Sequence, residues 1–239
     1  MRFRIYRYAI IFSLFFNCNH DSKHLITEST FKNKTFVSYY ETEKDSLIIE
    51  FTDTTYQYIN YSKEKRNWRI TNYNDSDFLI LDKIAIGIKQ LNDSVFKCHN
   101  VSHDDMKFEM ILKNPKWSEE KLYGKWVEDI YLEKSEDFFP PPPPPIPEKY
   151  DWPPYYEISE DKITNNHYDI NESKYELNNS NEYLFTNLRS HIYDKEIKWR
   201  IKSVTDSVMI INRMIEKQNY KFEFQNTFSK DVKLIRMNN

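Results

Sequence analysis

Two stretches of this chain repeat one pattern. Ile86 to Cys98 reads I-G-I-K-Q-L-N-D-S-V-F-K-C, and Trp199 to Ile211 reads W-R-I-K-S-V-T-D-S-V-M-I-I. Lys89 matches Lys202, Leu91 matches Val204, and Asp93-Ser94-Val95 matches Asp206-Ser207-Val208. Apolar and polar residues alternate in each, an Asp-Ser pair interrupts, and an apolar stretch follows. A period of two puts one face of a strand into a core. Asp and Ser end strands because their side chains hydrogen-bond nearby backbone. The repeated unit is therefore a strand, a turn and a strand.

Further matches follow in the same order. Ile48-Ile49-Glu50-Phe51 corresponds to Tyr155-Tyr156-Glu157-Ile158, Trp68-Arg69-Ile70 to Tyr175-Glu176-Leu177, and Phe78-Leu79 to Tyr183-Leu184. Lys107-Phe108-Glu109-Met110 is matched to Lys221-Phe222-Glu223-Phe224, which leaves Val232 to Met237 as a final strand that the first copy lacks or fuses. The order predicts an all-β chain of two tandem antiparallel β-meander modules, residues 31–114 and residues 115–239. The eighteen Tyr and sixteen Phe suit half-buried strands. Turn clusters at Asp53-Thr54 and Asn74-Asp75-Ser76-Asp77 separate short alternating runs, and Gly87 reads as a bulge or barrel bend. The single helix expected is a short one at Trp117 to Leu122.

Composition removes two function classes. Only two glycines occur, which argues against a glycine-rich phosphate loop. A net charge of −3 gives no basic surface for nucleic acid, so no such partner is expected.

At the N-terminus, Arg2, Arg4 and Arg7 precede an apolar run from Ala9 to Phe16 and then Asn17-Cys18. This is the layout of a secretory signal over residues 1–17. Eight apolar residues rise ~12 Å as helix, too little for a ~30 Å bilayer core. Leu14-Phe15-Phe16-Asn17-Cys18 resembles a lipobox, which implies lipidation of Cys18 and membrane attachment by a lipid anchor. Ordinary signal cleavage and an unprocessed N-terminus are the alternatives. Residues 18–30 then serve as a tether. Cys98 reads as a small buried strand residue, and could pair with Cys18 only if that residue carries no lipid.

Residues 138–156 hold nine of the ten prolines, with a run from Pro140 to Pro147 broken only by Ile146. Consecutive prolines enforce polyproline II, here ~25 Å long at ~3.1 Å per residue. Such an insertion is a stiff surface loop, a docking rod for a protein partner, or, with Phe138, Phe139, Trp152 and Tyr155, a lid folded over a pocket.

Gly124-Lys125-Trp126, followed by a meander and the late basic residue Arg236, resembles the lipocalin-like domains of bacterial lipoproteins. The resemblance covers roughly residues 122–237. It implies a lipocalin-like barrel for the second module, with Trp126 closing one end and Arg236 packed across it. It also implies an interior that takes a small apolar ligand, where Trp199, Tyr220, Phe222 and Phe224 either line a pocket or fill a core. The first module has Asn33-Lys34-Thr35-Phe36 instead of Gly-Lys-Trp, and a smaller or more open barrel is expected there.

Cys98, His99, His103, Asp104 and Asp105 are the one concentration of metal-ligand types. The His-x3-His spacing suits a helix, whereas this segment falls between two strands, so a hairpin loop without metal is expected. Cys98 and His99 are adjacent on a strand and point to opposite faces, which defeats a nucleophile–base pair. No catalytic motif occurs and no cofactor is implied. The sequence thus predicts a non-enzymatic cell-envelope lipoprotein that binds a small apolar ligand or serves as a scaffold. The alternative is an interaction module, of inhibitor or immunity type, that uses the polyproline segment or a sheet edge.

Overall fold

The computed structural model describes residues 26–40, 47–59, 64–102, 106–133, 152–167, 170–190, 195–218 and 224–237. Cys18, Pro140 to Pro147, His103, Asp104, Asp105, Tyr220 and Phe222 lie outside them.

The first barrel is built from β1 (Lys34–Tyr40), β2 (Leu47–Phe51), β3 (Thr55–Tyr58), β4 (Arg66–Tyr73), β5 (Ser76–Leu81), β6 (Ile84–Asn92), β7 (Val95–Asn100) and β8 (Lys107–Lys113). Each strand pairs antiparallel with the next, and β8 returns to β1 with Phe36 opposite Leu112. Of the two expectations for the first module, smaller holds and more open does not: eight strands close a full ring within the shorter of the two modules. Short strands and tight hairpins let so few residues do this. The β4–β5 hairpin turns on Asn74 (φ 46°) and Asp75 (φ 56°), and β5–β6 turns through Asp82 (φ 54°). Asn and Asp tolerate the left-handed region, so a chain with almost no glycine can still turn this tightly.

The second barrel comprises β9 (Gly124–Glu128), β10 (Tyr155–Ile158), β11 (Lys162–Asn166), β12 (Ile170–Leu177), β13 (Tyr183–Ser190), β14 (Lys195–Val204), β15 (Val208–Gln218), β16 (Phe224–Phe228) and β17 (Val232–Met237). Strands β9 to β15 pair in sequence, and β17 closes the ring between β15 and β9. Register identifies the true partners of the repeat. Val95 faces Ile111 as Val208 faces Ile235, and Phe36 faces Leu112 as Trp126 faces Arg236. The counterpart of β8 is therefore β17, not the segment at Lys221 to Phe224. Strand β15 has 11 residues against 6 in β7, and β16 pairs with its extra length.

Gly87 is not a bulge. It sits in register opposite both Phe78 and His99, and the irregularity in the β6–β7 pair falls between Gln90 and Asn92. The expected helix near Trp117 is a 3₁₀ turn at Glu119–Leu122, and a second 3₁₀ turn at Glu28–Thr30 holds the same place before β1. Each turn delivers a fully buried plug into its barrel, Phe31 in the first and Leu122 in the second. A four-residue helix, α1 (Asp129–Leu132), follows β9.

Both interiors are packed with side chains. In the first, Phe31 meets Phe36, Phe51 and Phe96 at ring-centroid distances of 5.1, 5.4 and 5.1 Å. In the second, Trp126, Trp199, Leu184, Ile201 and Met209 are buried together. The outer walls of the barrels pack on each other through Val37, Ile48 and Ile59 from the first and Tyr183 and Met214 from the second. The β12–β13 turn locks this contact. Asn178 Nδ2 donates to Thr35 Oγ1 at 3.2 Å, and the Asn179 N–H donates to Glu50 Oε1 at 2.7 Å. Glu182 pairs with Lys113 and Lys116.

Candidate functional site

Alternation along β9 turns Trp126 and Glu128 into the second barrel. Pairing brings Tyr156 opposite Trp126, then Asn165 opposite Tyr156, while Arg213 faces Trp199 across β14–β15. These strands converge at the end of the barrel away from Leu122. There Glu128, Asn165, His167, Tyr156 and Arg213 form one polar cluster. Glu128 Oε1 is bonded by Arg213 and lies 3.3 Å from His167 Nε2. His167 Nδ1 is 2.6 Å from Asn165 Oδ1. The His167 ring lies 4.4 Å from that of Tyr156, whose ring is 4.7 Å from that of Trp199.

The electrostatics follow from burial. Burial alone would raise the Glu128 carboxyl, but the hydrogen bond from His167 and the charge of Arg213 outweigh it and hold that group below its ordinary value. Burial, reinforced by the Glu128 carboxylate, pushes the Tyr156 phenol up and keeps it neutral. The two charges are not equally hidden. The Glu128 side chain is 6% exposed and that of Arg213 is 32% exposed. Arg213 is thus the more accessible partner of the pair and Glu128 the buried one.

Tyr131 covers the cluster, and Trp152 packs against Tyr131 from the outer wall. Tyr131 of α1 lies 6.0 Å from His167, centroid to centroid, and stacks edge-on against Trp152 at 5.9 Å. Tyr131 precedes the proline-rich segment in the chain and Trp152 follows its proline run, and the two meet beside Val127 and Tyr155 on the outer wall of the second barrel.

The first barrel has none of this charge. Register places Ser38 where the second has Glu128, Ile49 for Tyr156, Tyr58 for Asn165 and Asn100 for Arg213. The scaffold is duplicated and the charged cluster is not.

The opposite end of the second barrel is sealed. Arg236 stacks over the Trp126 ring at 4.5 Å and donates from Nη2 to Lys121 O at 2.6 Å, while Trp126 Nε1 donates to Leu122 O at 2.7 Å. Gly124 has φ +126°, and a Cβ there would sit 3.6 Å from Arg236 Nε. Trp199 is fully buried core. Phe224 begins β16, outside the closing ring. Cys98 is buried, and burial pushes its thiol up to about 12, so it is no thiolate at neutral pH. His99 is on β7, next to Cys98 but opposite Gly87 and Lys107. Asp93-Ser94 and Asp206-Ser207 are turns, the latter tied to Lys121 through Asp206. Among the described residues no group of three His, Cys, Asp or Glu side chains is arranged to hold a metal ion, and no helix is long and apolar enough to cross a membrane.

Sequence reading missed Glu128, Asn165, His167 and Arg213. A signal for Arg213 was present: extending the repeat two residues past Ile211 aligns it with Asn100. No known family model and no curated protein matches the chain.

Proposed function

We propose that this protein is a non-enzymatic lipoprotein of a bacterial cell envelope, anchored through lipidated Cys18, with lipocalin-like barrels of which the second holds a small apolar or amphipathic ligand at its mouth. The observation that carries this reading is the contrast between the two ends of the second barrel. One end is shut by Leu122, Trp126 and Arg236, and the other carries a polar cluster covered by Tyr131. Closed eight-stranded barrels of this size hold packed side chains or one small ligand. Side chains fill both interiors, so the ligand is placed at the end of the second barrel and the first barrel acts as a scaffold. Native mass spectrometry of residues 19–239 tests the ligand, with a co-purifying small amphiphile expected. A protein that stays ligand-free after incubation with envelope lipid extract would overturn it. The anchor is tested by Cys18→Ala, which should move the protein from the membrane to the soluble fraction.

A second reading is favoured by the convergence of the insertion's stems at Tyr131 and Trp152 and by β16, which among the described residues is paired on one edge only. Both features suit an interaction module of inhibitor or immunity type. A protein partner lost on deletion of residues 138–152 would favour it.

A further inference from the structure

We infer that the open edge of β16 pairs antiparallel with β16 of a second copy of this chain, about a two-fold axis at Asn226, so that the protein forms an edge-to-edge dimer. This deepens the second reading above by naming what occupies that edge.

The strand is an addition to the fold. The ring of the second barrel closes through β9 to β15 and β17, and among the described residues β16 pairs with β15 alone. The first barrel closes without such a strand. Closure removes edges, so a strand outside the ring brings one back. The direction of its backbone groups follows from register. The Ser229 N–H donates to Arg213 O at 2.9 Å, one step beyond the Met214–Phe228 pair. Bonded and non-bonded residues alternate along an antiparallel ladder. Gln225 and Thr227 therefore turn their N–H and C=O groups to β15, and Phe224, Asn226 and Phe228 turn theirs to the open side. The sequence of the edge, F-Q-N-T-F, is nearly its own reverse. Antiparallel pairing centred on Asn226 sets Phe224 opposite Phe228 of the second copy, Asn226 opposite Asn226 and Gln225 opposite Thr227. Outward residues then meet only outward residues, and the backbone donors and acceptors of the edge find partners. Such a contact is isologous and closes at two copies. The strand carries none of the charges, prolines or bulges that blunt an edge. It also adjoins a contact already made within the chain. Phe228 packs against the cluster of Val37, Ile48, Ile59, Tyr183 and Met214 where the barrels meet, so a strand added at β16 lies next to an apolar patch.

A five-residue contact is small, so the dimer is a weak one, with Kd on the order of 10 µM. Sedimentation equilibrium of residues 19–239, which retain every described residue, should show a reversible monomer–dimer equilibrium between about 1 and about 100 µM. Asn226→Pro removes an N–H that faces the open side and not β15. It should weaken the dimer about tenfold and leave the melting temperature unchanged. Asn226→Lys, which sets like charges face to face, should weaken it as well. Under mild oxidation Asn226→Cys should cross-link two copies, since directly opposite residues lie within disulfide reach. Gln225→Cys should not, whereas an equal mixture of Gln225→Cys and Thr227→Cys should. The native Cys98 is buried and adds no background. A chain that stays monomeric at about 100 µM overturns the inference. So does a dimer indifferent to Asn226→Lys, or a Gln225→Cys chain that cross-links as readily as Asn226→Cys. If the chain is monomeric and Asn226→Lys abolishes binding of a different protein, self-pairing falls while the second reading stands. If it is monomeric and Asn226→Lys costs no partner, both uses of the edge fall.

Discussion

At the scale of single residues, Glu128 sets the acid limit of the second barrel. Its folded value lies below the ordinary 4.5, so its contribution is fully present above 4.5 and is lost as pH falls through the folded value. Thermal melting followed from about pH 6 to about pH 3 should show the midpoint dropping below about pH 4.5, and Glu128→Gln should flatten that drop. Arg213→Met strands a buried carboxylate and is expected to cost about 3 kcal/mol in a denaturant melt at neutral pH. The reverse change, Glu128→Gln, should cost about 1 kcal/mol because Arg213 reaches water. At the sealed end, Gly124→Ala forces a side chain into a backbone region reserved for glycine, a loss of about 1–3 kcal/mol although the space beside Arg236 would admit the methyl. Trp126 and Arg236 were legible in the sequence because a Gly-x-Trp tripeptide carries its own signal. Glu128 and Arg213 were not, because they are far apart in the chain and only ring closure makes them neighbours.

At the scale of elements, local periodicity located most strands, and nonlocal pairing decided what they do. Lys221-Phe222-Glu223-Phe224 copies the wording of Lys107-Phe108-Glu109-Met110, yet the strand that closes the ring is β17, which contacts β9 and β15 from far along the chain. Residue type alone could not show this, since Val232 to Met237 and β8 share only an alternating pattern. Gly87 illustrates the same limit. Glycine within a strand suggests a bulge, but here it is a paired position whose added Cβ would meet His99 O at 3.7 Å and Phe78 Cε1 at 3.8 Å, ordinary contacts. Gly87→Ala should therefore be neutral or stabilise by about 0.5–1 kcal/mol, measured by urea unfolding, because it restricts the unfolded chain without straining the folded one. A loss of stability would show that the strand does not accommodate the added methyl.

At the scale of the whole molecule, the repeat predicted two modules but not that they are docked. The contact is made by outward-facing residues, Val37 and Ile48 on one wall and Tyr183 and Met214 on the other, and alternation alone assigns such residues to solvent. Its polar border centres on Asn178, whose Oδ1 accepts from the Glu182 and Tyr183 N–H groups at 3.0 and 2.9 Å while Nδ2 reaches Thr35 in the other barrel. Removing it leaves buried donors without partners, so Asn178→Ala should cost about 2–3 kcal/mol. The consequence for folding is testable. With the barrels joined by an apolar patch and these bonds, the intact protein should unfold in a single transition seen identically by near-ultraviolet and far-ultraviolet circular dichroism. Asn178→Ala should split it into two. The Glu50 carboxyl at the junction adds a pH signature. Burial raises it above 4.5, a penalty that applies above the folded value and disappears below 4.5. Acid thus relieves the junction while it weakens the Glu128 cluster. In Asn178→Ala the gap between the two transitions should widen toward low pH if the first barrel is the later to melt, and a gap independent of pH would show that the junction and the cluster do not report on separate barrels.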